Sequence, residues 1–583
     1  MVFRLAIIPA VVGCNTGSDT PSKTDGLPSD SPHSPDDSGR TDGDGDTDDT
    51  GHTDDTGHSD DTGDPPDTPG FTIDATPGES CPMAETAWPV DRWVDEAWNS
   101  QTVTYATETI PTAAWGMAIE DFDGDGLPDI FLPQLGNSQL YRNVGGRQWA
   151  DVSESALGVW PAMALAATAV DLDDDGDFDV VETGFGLVRL LMNDGTGTFS
   201  LGPPISADPA TVYFGSSWAD MDGDGDLDGI IAGFPAAFPD GEEPPDSDFL
   251  VGSPDILLER TDDGWADASH RLPDTNDGHT FLASWQDIDG DMTPEILVIN
   301  DNFVFGRTNR VWTWNGEAFE DISDTVGLNQ GMHSMGLGIT DTNADGRPDV
   351  LITGWGNLAW MVSDPGGGAW INKTAADNLF VAEDRDQWVG WGVEFADLTS
   401  DGVEEAVVAF GHWELAAISG KDTPENREEQ PDAIFEFGSA GATDNAEMWG
   451  MMDTTSGRSV AIADLDRDGR VDVIRRPVFG PATIDSPQCT ANHWSTVSLR
   501  QTAPNVHAIG ARLTVTANGQ QSTRWIRAGG TGLAGSSPAE AYIGLGTANV
   551  IEQLDIVWPD GSESVHRDLP ADRHLSITRP PEL

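Results

Sequence analysis

Cysteine and positive charge are what this chain has least of. Only Cys14, Cys81 and Cys489 occur among 583 residues. No two of them form a CxxC pair, which excludes a zinc ribbon or a thioredoxin-type site. Lys plus Arg number 28 against 101 Asp plus Glu, a formal net charge of −73. A chain this acidic repels phosphate backbones, which argues against nucleic acid as a partner. No apolar run is long enough for a transmembrane helix. Catalytic grammar is missing too: there is no GxSxG, no HExxH, no P-loop and no dinucleotide-binding glycine pattern. No catalytic residue and no organic cofactor is assigned, and the expectation is a protein that is not an enzyme.

What is present is acid, glycine and short apolar runs. The 66 Gly, 38 Pro and 21 Trp, with apolar stretches cut by turn residues, favour an all-β chain. Its length exceeds one ordinary domain. Acidity on this scale is tolerable in a solvated disordered tract or where carboxylates bind cations. Both are expected here.

Residues 1–14 read as an address. Arg4, the apolar run Leu5 to Val12, and Gly13 before Cys14 make a secretory signal. The ending Val11-Val12-Gly13-Cys14 resembles a bacterial lipoprotein signal. That resemblance implies lipidation of Cys14, an extracytoplasmic location (outer membrane, cell surface or periplasm) and membrane contact through the lipid alone. Residues 15–69 hold 16 Asp against Lys23 and Arg40, with a six-residue repeat of the type Asp48-Asp49-Thr50-Gly51-His52. No apolar periodicity exists to offset ordering entropy. The segment is expected to be a disordered acidic tether spanning roughly 40 Å.

Seven copies of one motif, D-x-D-x-D-G-x-x-D, organise the chain from residue 121 to residue 472. They are Asp121, Asp123, Asp125, Gly126 and Asp129; Asp171, Asp173, Asp175, Gly176 and Asp179; and Asp220, Asp222, Asp224, Gly225 and Asp228. The fourth is Asp287, Asp289, Asp291, Met292 and Glu295, and the fifth is Asp341, Asn343, Asp345, Gly346 and Asp349. The sixth is Asp397, Thr399, Asp401, Gly402 and Glu405, and the seventh is Asp464, Asp466, Asp468, Gly469 and Asp472. Calcium takes six to eight oxygens at roughly 2.3–2.6 Å. Carboxylates at positions 1, 3 and 5 of a tight loop converge on one point, the Gly at position 6 allows positive φ, and position 9 closes the shell. Each copy is read as a calcium site, for up to seven ions. The copies at Asp287 and Asp397 rank last, because Met292 replaces the turn glycine and Thr399 replaces an acid.

An EF-hand would need a bidentate Glu at position 12. That position holds Leu132, Glu182, Ile231, Val298, Ile352, Val408 and Arg475. The flanks alternate with a period of two, as strands do. Three residues ahead of the motifs stand Ala118, Thr168, Ser217, Ser284, Gly338, Glu394 and Ala461. This mostly small face predicts a strand packed closely on a neighbouring sheet. About four short strands per repeat of some 50 residues is the arithmetic of a propeller rather than a solenoid. The fold expected for residues 70–489 is a seven-bladed β-propeller.

These units resemble the FG-GAP/VCBS repeats of integrin-type propellers, in which the calcium loop joins the first two strands of a blade. Residues 490–583 change character, with alternating runs such as Val497-Ser498-Leu499-Arg500 and Leu554-Asp555-Ile556-Val557, and turns such as Pro559-Asp560-Gly561. They predict a small β-domain and resemble the ASPIC/UnbV domain. Together the two resemblances point to the cartilage acidic protein family, with this chain as a bacterial lipoprotein member.

Cys81 and Cys489 flank the expected ring, whose ends meet on closure. They are expected to form a disulfide in an oxidising compartment, the alternative being two free thiols. His279, His333 and His412 fall near strand ends and read as structural. The Trp at blade positions read as core rather than a sugar platform. The function expected is a calcium-stabilised, monomeric adhesion or binding module that contacts a protein or glycan at the cell surface. The alternatives are a polysaccharide lyase or hydrolase working on the propeller face, and an envelope assembly scaffold.

Overall fold

The computed structural model describes residues 67–79 and 90–581, apart from 95–101, 106–107, 112–114, 236–251, 262–263, 302–306, 380–387, 413–429, 479–480 and five single positions. Cys14, Cys81 and the tether up to residue 66 lie outside the described residues. Asp67–Leu583 fall in one compact unit.

Seven antiparallel sheets follow one another along the chain. Their innermost strands are Ala118–Glu120, Ala162–Val170, Thr211–Ala219, Thr280–Gln286, Ser334–Thr340, Gly390–Ala396 and Gly457–Ala463. We call these sheets blades one to seven. In blade four, Thr280–Gln286 pairs with Glu295–Asn300, that with Arg310–Trp314, and that with Phe319–Asp321. The other blades repeat this meander. Blade seven takes its outermost strand from the start of the chain: Val90–Val94 pairs with Thr483–Pro487.

An apolar cluster fills each junction between blades. Phe131 meets Val180 between blades one and two, Leu190 meets Tyr213 between two and three, and Ile230 meets Ile296 between three and four. Leu297 meets Val350, Leu351 meets Val408 and Val407 meets Val473 at the next three junctions. Ile474 meets Ile130 across the last, from blade seven back to blade one. Seven sheets joined by seven junctions make a closed ring, in which every blade face is covered by a neighbour and only short outer edges remain. Trp218, Trp312, Trp360 and Trp391 are fully buried in these layers, as core residues should be.

The C-terminal part is built from two four-stranded sheets. One holds Gln520–Trp525, Arg512–Ala517, Val550–Val557 and Glu563–Pro570. The other holds Thr72–Pro77, Arg573–Thr578, His493–Arg500 and Ala541–Gly546. Thr72–Pro77 lies inside the range expected for the propeller, yet it pairs antiparallel with Arg573–Thr578. The reason is edge pairing: the strand adds to a sheet whose partner is about 500 residues away in sequence, which no local pattern announces. Leu513, Val515, Ile543, Ile556 and Leu575 share one apolar cluster with Leu172, Tyr213 and Ile231 of blades two and three. The core of the C-terminal part is therefore continuous with that of the ring.

Candidate metal centres and the docked C-terminal domain

In every blade the motif forms the connection between the two innermost strands. The register shows it: Glu120 faces Asp129, Val170 faces Asp179, Ala219 faces Asp228, Gln286 faces Glu295, Thr340 faces Asp349, Ala396 faces Glu405 and Ala463 faces Asp472. The position 9 acid thus opens the second strand. Its side chain also pins the loop: Leu172, Met221, Ile288, Thr342, Leu398 and Leu465 donate their backbone N–H to it at 2.9–3.2 Å. The position 1 Asp accepts the N–H of position 6 in all seven copies, at 2.8 Å from Gly126 and 3.2 Å from Met292.

That bond needs a left-handed residue at position 6. Gly126 has φ 91° and Met292 is held at φ 67°. A non-glycine residue there costs roughly 1–2 kcal/mol. Met292→Gly is therefore expected to stabilise the chain by about 0.5–1 kcal/mol, read as a rise in denaturation midpoint at constant slope. A fall would show that the Met292 side chain contributes more than its backbone strain costs.

Three carboxylate oxygens lie within 4.8 Å of one another in five loops: Asp121, Asp123 and Asp129; Asp171, Asp173 and Asp179; Asp220, Asp222 and Asp228; Asp287, Asp289 and Asp291; and Asp464, Asp466 and Asp468. Among the described residues no such trio forms in the loops of Asp341 and Asp397. Of the two copies ranked last by sequence, Asp287 gathers its acids despite Met292, because Met292 adopts the turn conformation. The five trios are hard oxygen donors in compact loops, and they fit a metal ion of calcium's chemistry.

Electrostatics agree with that donor set. Burial pushes Asp129, Asp179 and Asp228 up to about 8, with neighbouring loop carboxylates adding to the rise against the backbone N–H bonds they accept. Glu295 is likewise pushed up to about 8. Like charges in a desolvated loop hold their protons until a cation shares the site. Glu182, the one acid at position 12, is drawn elsewhere: it accepts from Ser138 and, at 2.7 Å, from Arg189 Nε.

The sequence did not reveal what covers these loops. Asn505 N–H donates to Asp174 in blade two at 2.9 Å. His574 approaches Asp464 of blade seven at 3.8 Å. The Asp464 N–H donates to the Tyr542 hydroxyl at 3.2 Å, and Trp494 lies against Gly469, where any Cβ would be 1.6 Å from its ring. The C-terminal domain sits on the loop side of the ring.

From that position residues 528–539 run through the centre. Gly529 pairs with Ser217 of blade three. Gly532 accepts from Val460 of blade seven and donates to Val393 of blade six, at 3.1 and 3.3 Å. Ala534 accepts from Ala167 of blade two at 3.3 Å, and Ser536 donates to Met117 beside blade one at 2.9 Å. Leu533 and Ala534 pack with Leu165, Phe214, Phe281, Met335 and Trp391 from five different blades. Some of the small positions three residues ahead of the motifs face this plug, whereas Gly338 faces Val393 and Phe395 of blade six. Ser217 and Ser284 flank Gly530, and Thr168 lies against Gly529. Glu394, the exception in that small series, accepts from Thr531 Oγ1 at 2.6 Å. The expectation of a neighbouring sheet against the small face holds, since Ser217 accepts from Trp285 N–H of blade four at 3.2 Å and Thr168 donates to the Ser216 carbonyl of blade three at 3.1 Å. The plug is a second neighbour, which the alternation did not announce. The available signal was the glycine-rich run Gly529 to Gly535, which permits close backbone approach.

The histidines behave as structural groups. His279 is buried and its pKa is lowered to about 4, chiefly by desolvation. His333 Nδ1 lies 2.7 Å from Asp301, and that hydrogen bond raises its pKa. The His412 carbonyl accepts from Arg458 at 2.7 Å. Cys489 is disulfide-bonded.

A closed ring of loop-bearing blades with a β-domain seated on it defines a repeat propeller with a fused C-terminal module, and known families agree. Residues 121–182, 171–231 and 287–352 match the family described as FG-GAP-like repeat. Residues 501–582 match the family described as ASPIC and UnbV. The chain carries FG-GAP-like repeats and an ASPIC and UnbV domain. Cartilage acidic protein 1 of Mus musculus is 26% identical over 296 residues, covering 48% of this chain and 42% of that protein. The Homo sapiens protein of the same name is 26% identical over 297 residues, with the same coverage of 48% and 42%. The match thus spans less than half of these relatives' length.

Among solved structures, BBS1N in complex with ARL6DN aligns with a TM-score of 0.41 at 8% identity, covering 70% of this chain and 99% of that one. An Agrocybe aegerita lectin that recognises non-reducing terminal N-acetylglucosamine aligns at 0.36 and 16% identity, covering 62% and 88%. Rhamnogalacturonan lyase YesW aligns at 0.34 and 14%, covering 71% and 76%. Scores this low carry no argument about ligand or activity.

Proposed function

We infer that this protein is a non-catalytic, calcium-binding module of the bacterial cell envelope that contacts a protein or glycan through the exposed face of its propeller. In this reading Cys14 carries the lipid, residues 15–69 are the tether, Cys81 pairs with Cys489, and the module acts as a monomer. The disulfide at Cys489 supports an oxidising compartment. The loops of Asp121, Asp171, Asp220, Asp287 and Asp464 would hold the ions. Calcium bound there neutralises the buried carboxylates and ties the two inner strands of each blade together, while the side chains of the loop position themselves around it.

The observation that carries the reading is the filled axis. The channel of the propeller is occupied by its own backbone, and its loop side is covered by its own C-terminal domain. Among the described residues this leaves no axial cavity in which to enclose a substrate. Among the described residues, the opposite rim offers a surface for contact where the second strand of blade five turns into the third. Trp355 stands there at 36% exposure beside His333.

The test is binding of the full chain to glycan and envelope-protein panels with calcium held constant. Saturable binding without chemical change of the ligand is the expected result. Turnover of any glycan would replace this reading with an enzymatic one. Stable co-assembly with several envelope proteins, without saturable binding of a single ligand, would replace it with a scaffold.

A further inference from the structure

We propose that the motif loops of blades five and six are docking elements for the C-terminal domain and hold no metal ion. This rests on the calcium reading of the other five loops. Both loops carry a neutral side chain at position 3, Asn343 and Thr399, so each loses one anionic donor. In both, what the ion would organise is organised by protein.

In blade five the Ser363 hydroxyl lies among the acids. It donates within reach of Asp345 at 3.0 Å and of Asp349 at 3.0 Å. The Asn343 side-chain amide turns to the same residue, 3.4 Å from the Ser363 carbonyl, and donates rather than accepts there. Asp341 is bonded by the hydroxyl of Thr523 from the C-terminal domain. In blade six two loop carbonyls are held by the C-terminal part. The Thr399 carbonyl accepts from Thr490 Oγ1 at 3.2 Å and Asn492 Nδ2 at 2.9 Å, and the Ser400 carbonyl accepts from Gly546 N–H at 2.8 Å. The Gly544 backbone lies so close to Asp397 that any Cβ would sit 1.7 Å from the carboxylate.

A shared charge pair binds the two loops to the domain. Glu404 of blade six accepts from Arg524 Nε at 3.1 Å and from the Thr340 hydroxyl of blade five at 2.7 Å. Arg524 also supplies positive charge near Asp397. The adjacent strand Gln520–Trp525 therefore presents Thr523 to one loop and Arg524 to the other. The contacts at the remaining loops differ in effect: His574 beside Asp464 leaves the trio of blade seven gathered.

The experiment counts ions on the full, disulfide-intact chain by equilibrium dialysis with radioactive calcium at saturation. It is run for the parent chain and for single variants, alongside thermal unfolding in calcium and in chelator. Five ions are expected on the parent. Asp341→Asn and Asp397→Asn should keep all five and lower the unfolding temperature equally in calcium and in chelator. Asp171→Asn and Asp220→Asn should each lose one ion. Loss of an ion in either Asp341→Asn or Asp397→Asn, or seven ions on the parent, overturns the proposal. No calcium on the parent would overturn the calcium reading instead. The docking role would then be decided by Thr523→Val in chelator, where an unchanged unfolding temperature rejects it.

Discussion

Chelation of calcium is expected to lower the unfolding temperature of the full chain by roughly 10 °C or more, and magnesium is expected to restore little of it. A ligand that binds only the folded state stabilises by mass action, about 2.7 kcal/mol per site at a hundredfold excess over its dissociation constant. Five loops gather three carboxylates each, so the contributions add across the ring. Without a cation each gathering is a cost. The acids at position 9 are buried at 1% exposure in Asp129, Asp179 and Asp228, so without a cation they either hold a proton or repel the neighbouring loop carboxylates. Magnesium demands octahedral geometry at about 2.0–2.1 Å and keeps its waters, which a loop of converging carboxylates and carbonyls suits poorly. Thermal unfolding followed by circular dichroism in calcium, magnesium and chelator reads the effect. Identical curves in all three would mean that the loops are only solvated turns.

Shortening the plug at its one large side chain should be nearly as damaging. Leu533→Ala is expected to cost about 2–5 kcal/mol, the range for emptying a fully buried leucine, because Leu533 has 0% exposure and meets aromatic side chains of several blades. Gly532→Val should cost more. A Cβ there would stand 2.2 Å from the Val460 carbonyl oxygen, and the residue sits at φ 68°, so steric and conformational penalties combine. Since the plug belongs to the C-terminal domain and its bonds go to the ring, the parent chain should unfold in one transition. Gly532→Val should split it into two or prevent folding. Denaturant unfolding followed by tryptophan fluorescence measures both variants. A Leu533→Ala change below about 0.5 kcal/mol, the size of an ordinary surface substitution, would show that the channel does not depend on the plug.

The loops were legible because their information is local. Positions 1, 3, 5, 6 and 9 span nine residues, and the bonds that shape them, such as Gly126 N–H to Asp121, join groups five residues apart. The alternation of small and large residues in the inner strands was equally plain, but its meaning was not. Small residues such as Ser217 are compatible with a close sheet or with a close peptide, and Ser217 has both, Trp285 N–H of blade four and the Gly530 backbone. The second was visible only in the tertiary structure. The differences among the seven loops were partly hidden for a related reason. Met292 looked disabling and is accommodated by a left-handed backbone, whereas Asp341 sits in a motif that keeps its turn glycine and is engaged by Thr523, 182 residues further on.

Sequence alone determined the class of this protein: seven short-range calcium-type loops between alternating strands, an all-β ring, and a second β-domain after it. Those features repeat with a short period, and each copy repeats the same local physics. Tertiary structure alone decided that the second domain belongs to the first. Ala118 bridges Ser536, Thr72–Pro77 joins the C-terminal sheet, and one apolar cluster runs through both parts. These contacts join segments hundreds of residues apart, and their partners carry no complementary pattern in the chain. The first of them exists because a closed ring leaves a narrow axis, and a glycine-rich segment is thin enough to fill it between the small side chains of Thr168, Ser217 and Ser284 and the larger ones of Phe214, Phe281 and Trp391.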